Sequence, residues 1–233
     1  PEMTQQGGVF SRVNLSPDLL SDFIKAIPTH FRLVEIMLNY GNNFSLTELI
    51  ERRNIILKLS SDIDQIRDKY SENTRRNIKK AKREEITINN NLDLKNIMRL
   101  FTENKGADLN ISEYWTRRVS SIAHALHHKG LGQSMSLYNK HNECVAGVFY
   151  VYFEQRIYFL FSGSGEKARQ SGAMHFLIDI LIEKHADSSN LLDFEGNNNE
   201  GLARFYKSFG AEEQNYPILK INRLPFYLKW FKK

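Results

Sequence analysis

The sequence predicts an α/β fold built on a mixed, mostly antiparallel sheet flanked by helices, and three observations carry that prediction. Three adjacent strand patterns, at residues 135–138, 144–153 and 156–161, are joined by short turns at 139–142 and 154–155, which makes them antiparallel neighbours. A strand, loop, helix, strand, helix, strand run follows, the signature of a mixed sheet with helical crossovers. With 233 residues, 41% hydrophobic and 25% charged, the chain has ordinary globular composition, which excludes collagen, a disordered tail and a disulfide scaffold.

The elements follow in order. Residues 5–10 read as an opening strand. Ser16-Pro17 supplies a cap and a proline at the first helical position; Leu19, Leu20, Phe23, Ile24 and Ile27 then keep helical spacing to Pro28. Residues 33–38 and 55–59 are strand patterns, with turn material at 39–43. From Asp62 to Lys82 the period is helical, one helix ending near Tyr70 and a second starting at Ser71 or Asn73. Further helices cover 92–105 and 112–128, the latter stopped by Gly130 and Gly132. The strand at 144–153 is apolar on both faces and therefore central. A glycine-containing loop at 162–172 leads to a long helix bearing Leu177, Ile178, Ile180, Leu181 and Ile182. A short strand at 191–195, a helix at 199–209 and a last strand at 217–221 complete the order.

The longest apolar run is far short of the roughly 18 residues a membrane-spanning helix needs, and residues 1–10 lack a basic segment followed by an apolar one. The single cysteine, Cys144, makes neither an internal disulfide nor a cysteine zinc cage, so the expected compartment is a reducing cytoplasm. The formal charge of +5 is concentrated. Between Ser71 and Glu85, Arg75, Arg76, Lys79, Lys80, Lys82 and Arg83 face only Glu72, Glu84 and Glu85. From Pro217 on, Lys220, Arg223, Lys229, Lys232 and Lys233 meet no acidic residue. A local basic surface points to an anionic partner. A solvated helix face accounts for residues 71–85 equally well.

Four constellations carry possible chemistry. In Arg169-Gln170-Ser171-Gly172-Ala173-Met174, a loop enters a helix, and backbone N–H groups there suit a pyrophosphate. Met174 would crowd such a cradle. Asn199 is followed at seven positions by Tyr206 and at eleven by Gly210, and the bland reading of Tyr206 is that it packs and hydrogen-bonds in the core. Asp193 and Glu195, two apart on a strand, would share a face and could orient an amine, act as base or anchor the following loop. His124, His127 and His128 have spacing that could place two imidazoles on one metal, but no cysteine or suitable carboxylate is near in sequence, and no metal is expected.

The loop and the Tyr206 to Gly210 helix resemble the GNAT acyltransferase superfamily, with Met174 and Ala211 departing from its pattern. Three longer stretches resemble its Fem-like, tandem-GNAT branch, the aminoacyl transferases of peptidoglycan bridges: Tyr70 to Ala81, Leu192 to Gly196, and Gly201 to Gly210. The resemblance implies a partial first unit at 1–60 and a complete second unit at 61–233 that includes the basic helix 71–85. It also implies that a chain beginning at Pro1 is a portion of a longer protein, with an exposed sheet edge near residues 5–10 or 33–38 and a possible homodimer through it.

The function implied is transfer of an acyl or aminoacyl group from acyl-CoA or aminoacyl-tRNA, used as co-substrate, to an amine such as a cell-envelope precursor. Tyr206 and Glu195 would be catalytic. Arg169, Gly172 and Ala173 would hold the cofactor phosphates, and Arg75, Arg76, Lys79, Lys80 and Lys207 would bind tRNA or an anionic lipid-linked precursor. Fem-type enzymes carry a Phe-Lys pair where this chain has Phe205-Tyr206, so Lys207, about 100° further round the helix, does not simply inherit the lysine's role. The competing reading is a non-catalytic GNAT-fold module that binds RNA or an envelope precursor.

Overall fold

The computed structural model describes residues 6–46, 49–103, 111–195 and 199–226. Gln5, Lys105, Gly196, Lys229, Lys232 and Lys233, which the sequence reading used, lie outside them. The chain divides into two compact units.

The first unit comprises residues up to Asn54 together with those from Glu213 onward. Its helix α1 (Pro17–Lys25) starts at Ser16, whose side chain accepts from the Leu19 N–H, with Pro17 at the first helical position. Leu20 and Ile24, one helical turn apart, are buried and pack with Leu38 and Leu219. Strands β1 (Leu33–Met37) and β2 (Leu49–Arg52) flank β10 (Tyr216–Asn222), both antiparallel to it.

The second unit is Ile55–Glu195 with Asn199–Glu212. Its strands are β3 (Ile55–Lys58), β4 (Thr87–Asn89), β5 (Gly132–Tyr138), β6 (Cys144–Phe153), β7 (Arg156–Ser164) and β8 (Leu191–Asp193). With the two-residue β9 (Glu212–Glu213) they run in the order β4-β5-β6-β7-β8-β3-β9. The central β5, β6 and β7 are antiparallel neighbours, whereas β7 and β8 are parallel. Helices α2 (Ile63–Asp68), α3 (Glu72–Ala81), α4 (Leu94–Phe101), α5 (Glu113–His128), α6 (Glu166–Ser171), α7 (Ala173–His185) and α8 (Glu200–Lys207) complete it. The break between α2 and α3 falls at Tyr70, where Ser71 caps α3 by accepting from the Thr74 N–H. Thr74, Ile78 and Ala81 are the buried face of α3, which leaves its cations outside.

Several expectations change. The strand at 217–221 belongs to the first unit's sheet with β1 and β2, and 55–58 belongs to the second unit's sheet, paired with β8. The division at 60 is thus displaced to Asn54, and the last strand returns to the first unit. Alternation reports that a segment is a strand, not which sheet it joins. The loop at 162–172 is the end of β7 plus the short helix α6, and β4 carries no strong apolar pattern. The edge near residues 33–38 is partly taken: Gly7 pairs with Leu38 and its N–H donates to the Met37 carbonyl at 2.9 Å. Leu33 and Ile36 remain exposed.

Candidate active site

Strands β7 and β8 pair only at Arg156, Ile157 and Tyr158; beyond Tyr158, β7 continues against β6 alone. The opening at this parallel junction is where an α/β sheet places a ligand. A cavity of about 360 Å³ fills it, walled by β7, α4, α6, α7 and α8, with the side chain of Asn77 from α3 at its border. A bulge shapes the β7 wall: Phe149 pairs with Phe161 and Tyr150 with Phe159, so Leu160 has no counterpart on β6. A bulge of this kind re-aims the backbone locally. Gly163 lets α4 close the far wall, because a Cβ there would lie 2.6 Å from the Ile97 carbonyl oxygen and 2.7 Å from the Phe101 nitrogen.

Helix α8 delivers Tyr206. Asn199 caps that helix by accepting from the Leu202 N–H at 3.1 Å, and one face then carries Leu202, Phe205 and Tyr206 to the cavity. The Tyr206 ring stacks on Phe194 (centroids 4.2 Å, planes 14° apart) and meets Phe159 edge-on at 5.9 Å. Its hydroxyl makes no hydrogen bond to a described residue, and Tyr206 is one of the residues that line the cavity. Burial, and then the nearby Glu195 charge, push the phenol well above its ordinary range, so it stays protonated.

Glu195 and Asp193 do not share a role. β8 ends at Asp193, and Glu195 adopts φ 59°, so the strand alternation expected to align the pair is broken. Asp193, fully buried, accepts from Arg156 at 2.8 Å and from the Glu195 N–H at 2.9 Å. It anchors the strand end. Burial first, and the Asp193 charge second, raise the Glu195 carboxyl to about 8. Glu195 is not among the cavity walls; once ionised, above about pH 8, its charge acts on the Tyr206 phenol.

The expected phosphate loop is divided. Arg169 lines the cavity, but Gly172 and Ala173 do not. Gly172, at φ 78°, ends α6 and opens α7, and a Cβ there would lie 2.5 Å from the Asn77 carbonyl oxygen. The close approach this glycine permits is therefore made by the backbone of α3. Ala173 is fully buried. Met174, expected to crowd a phosphate, instead forms part of the apolar lining.

The basic helix is divided as well. Arg75, Lys79, Lys82 and Arg83 line a groove of about 510 Å³ together with Arg67. Its floor is the buried Asp179, which accepts two bonds from Arg67, both at 2.9 Å, and one from the Tyr70 hydroxyl at 3.2 Å. Arg75 is braced by the Asp68 carbonyl at 2.7 Å. Arg76 donates to Asn73 within α3, and Lys80 lines a separate depression beside Lys167. Lys207 is exposed and absent from the cavity walls, because one residue past Tyr206 a helix has turned by about 100°.

The sequence reading passed over His175. It lines the cavity, its ring packs against Phe205 at 4.9 Å, and burial holds its pKa below the ordinary histidine value, leaving a neutral imidazole. Its place one residue after Met174 in the helix-opening motif was the available signal. His127, from the helix-end cluster, instead contacts the Gly132 carbonyl through Nδ1 at 3.0 Å. No group of three potential ligands that could hold a metal occurs among the described residues.

A family model described as an acetyltransferase (GNAT) domain matches residues 68–207. Among solved structures, FemX superposes with a TM-score of 0.59 at 12% identity, covering 88% of this chain and 70% of that one. L-PGS from Bacillus licheniformis gives 0.59 at 13% identity, covering 91% of this chain and 75% of that one. A conserved protein of unknown function from Bacteroides thetaiotaomicron gives 0.57 at 10% identity, with 89% and 68% covered. At these identities the likeness is one of fold. No functionally curated protein matches the chain. Among the described residues, no helix is long and apolar enough to cross a membrane.

Proposed function

Since this chain belongs to the GNAT acetyltransferase-domain family, we propose that its cavity transfers an acyl or aminoacyl group from an activated carrier to an amine. The observation that carries the proposal is the Tyr206 phenol, a protonated donor at the cavity wall with no protein partner among the described residues. The amine attacks the acyl carbon, a C–N bond forms, and the bond to the carrier oxygen or sulfur breaks. Tyr206 gives its proton to that leaving atom, and neutral His175 takes the proton the amine releases. Below about pH 8 Glu195 is neutral and adds no charge near the phenol; Tyr206 regains its proton, and His175 loses the one it took, by exchange with water.

For the carrier, aminoacyl-tRNA is favoured over acyl-CoA. The backbone of α3 meets the Gly172 loop where a pyrophosphate would need close approach, and the same helix presents the Arg75, Lys79, Lys82 and Arg83 groove, whose cations suit sequence-independent phosphate contacts. The groove is also what a non-catalytic RNA-binding module would use. The deciding experiment measures thermal stabilisation by CoA and by tRNA separately, then transfer from the carrier that binds. Stabilisation by tRNA with transfer supports the reading; stabilisation by CoA alone overturns the carrier; binding with no transfer to any amine leaves the module reading.

A further inference from the structure

We infer that the group this cavity accepts on the acyl carbon is a bulky apolar chain or ring, and not the acetyl or glycyl unit that the smallest transfers use. The inference rests on the transfer reading above for its orientation, and on the wall chemistry for its content. Leu100 and Phe101 from α4, Phe159 from β7, Met174 and Ile178 from α7, and Phe205 from α8 converge on one space. The polar groups of the same lining are Asn77, Ser162, Ser164, Arg169, His175 and Tyr206; Tyr206 and His175, which the transfer reading uses, come from α8 and α7.

Size points the same way. At about 360 Å³, the cavity is larger than twice the roughly 150 Å³ apolar cavity that accommodates a benzene ring. The amine and the reacting end of the carrier share this space, and an acetyl or glycyl unit beside them would cover little of the wall formed by Leu100, Phe101, Phe159 and Ile178. A longer apolar chain would cover it, with each buried methylene strengthening binding about fourfold. The walls are also supported against collapse. Ile178 is fully buried in the core of the second unit, and Gly163 lets α4 pack directly on β7, with Leu100 in that contact.

Two kinds of acyl group share this chemistry, a fatty acyl chain and an aminoacyl group with a large apolar side chain. Both are probed by calorimetric titration of the intact chain with N-methyl amides, which mimic the product and need no carrier. One arm runs from N-methylacetamide through N-methylbutanamide to N-methyloctanamide; the other compares the N-methyl amides of glycine, leucine and phenylalanine. Affinity should rise about fourfold per methylene along one arm, or by at least tenfold from glycine to phenylalanine along the other. Met174→Trp, at a half-exposed position on the wall, should abolish the gain by filling the space, and Leu202→Trp provides a second filler should Met174→Trp fail to fold. Equal affinity for short and long members of both arms overturns the inference, even if transfer of a small group is observed. Chain-length-dependent binding without any transfer leaves the pocket in place and removes the transferase reading.

Discussion

Replacing Tyr206 by phenylalanine separates the proposed chemistry from packing, because the ring makes the packing contacts and the hydroxyl makes no hydrogen bond to a described residue. The ring is fixed by Phe194 at 4.2 Å and Phe159 at 5.9 Å, contacts that phenylalanine keeps. The hydroxyl has no hydrogen bond to a described residue, so its removal should alter folding stability by less than about 1 kcal/mol. Tyr206→Ala, by contrast, removes the buried ring and should cost about 3–5 kcal/mol. If the phenol protonates the leaving atom, Tyr206→Phe should lower turnover by about 10² to 10⁴ while the carrier's affinity is unchanged. That loss corresponds to about 3–5 kcal/mol of barrier. Urea unfolding and steady-state transfer, measured on both variants, provide the test. Wild-type turnover in Tyr206→Phe would refute the proton-donor role. A stability loss in Tyr206→Phe as large as in Tyr206→Ala would refute the assignment of ring to packing and hydroxyl to chemistry.

Four further outcomes follow from the same geometry. Glu195, raised to about 8 from the roughly 4.3 of an exposed glutamate, binds its proton more tightly folded than unfolded; the stability this gives is complete below about pH 4 and lost as pH rises through about 8. Glu195→Gln should flatten that slope in thermal melts and remove a decline in transfer above about pH 8. Charge reversal at Lys79 and Arg83, in the α3 groove, should weaken tRNA binding and its salt dependence more than reversal at Arg76 and Lys80, as read by filter binding at two salt concentrations. Gly172→Ala, at φ 78° with Asn77 O 2.5 Å from the new Cβ, should destabilise by about 1–3 kcal/mol. Arg156→Met, which leaves the Asp193 carboxylate buried without that partner, should cost about 3–5 kcal/mol in urea unfolding.

Most of the architecture was legible in the sequence because the strongest local signals are also the ones that fold locally. The strand at 144–153 is bounded by turn residues on both sides, and its limits are those of β6. Ser112 and Ser71 mark helix starts by accepting the N–H bonds that the periodicity and capping chemistry anticipate. Sheet membership was not legible, because whether 217–221 pairs with β7's sheet or with β1 depends on partners more than 150 residues away. Strand β4 was missed for a related reason: its residues are mostly exposed, so no alternation records its pairing with β5.

The site divides along the same line. Tyr206 and Arg169 were singled out through their resemblance to the GNAT helix and loop motifs, and both line the cavity. Gly172 is a point of close approach, and the neighbour there is Asn77 of α3: glycine marks where backbone comes near, and nothing local says what the visitor is. The identical ambiguity ran the other way for Met174 and His175. A thioether and an imidazole at a helix start read as obstruction or background until β7, α4 and α8 are arranged around them. The apolar walls, which argue most about what is transferred, were each legible only as core. A residue that packs against protein and one that packs against substrate obey the same hydrophobic physics, and only the three-dimensional vacancy between Phe159, Ile178 and Phe205 tells them apart.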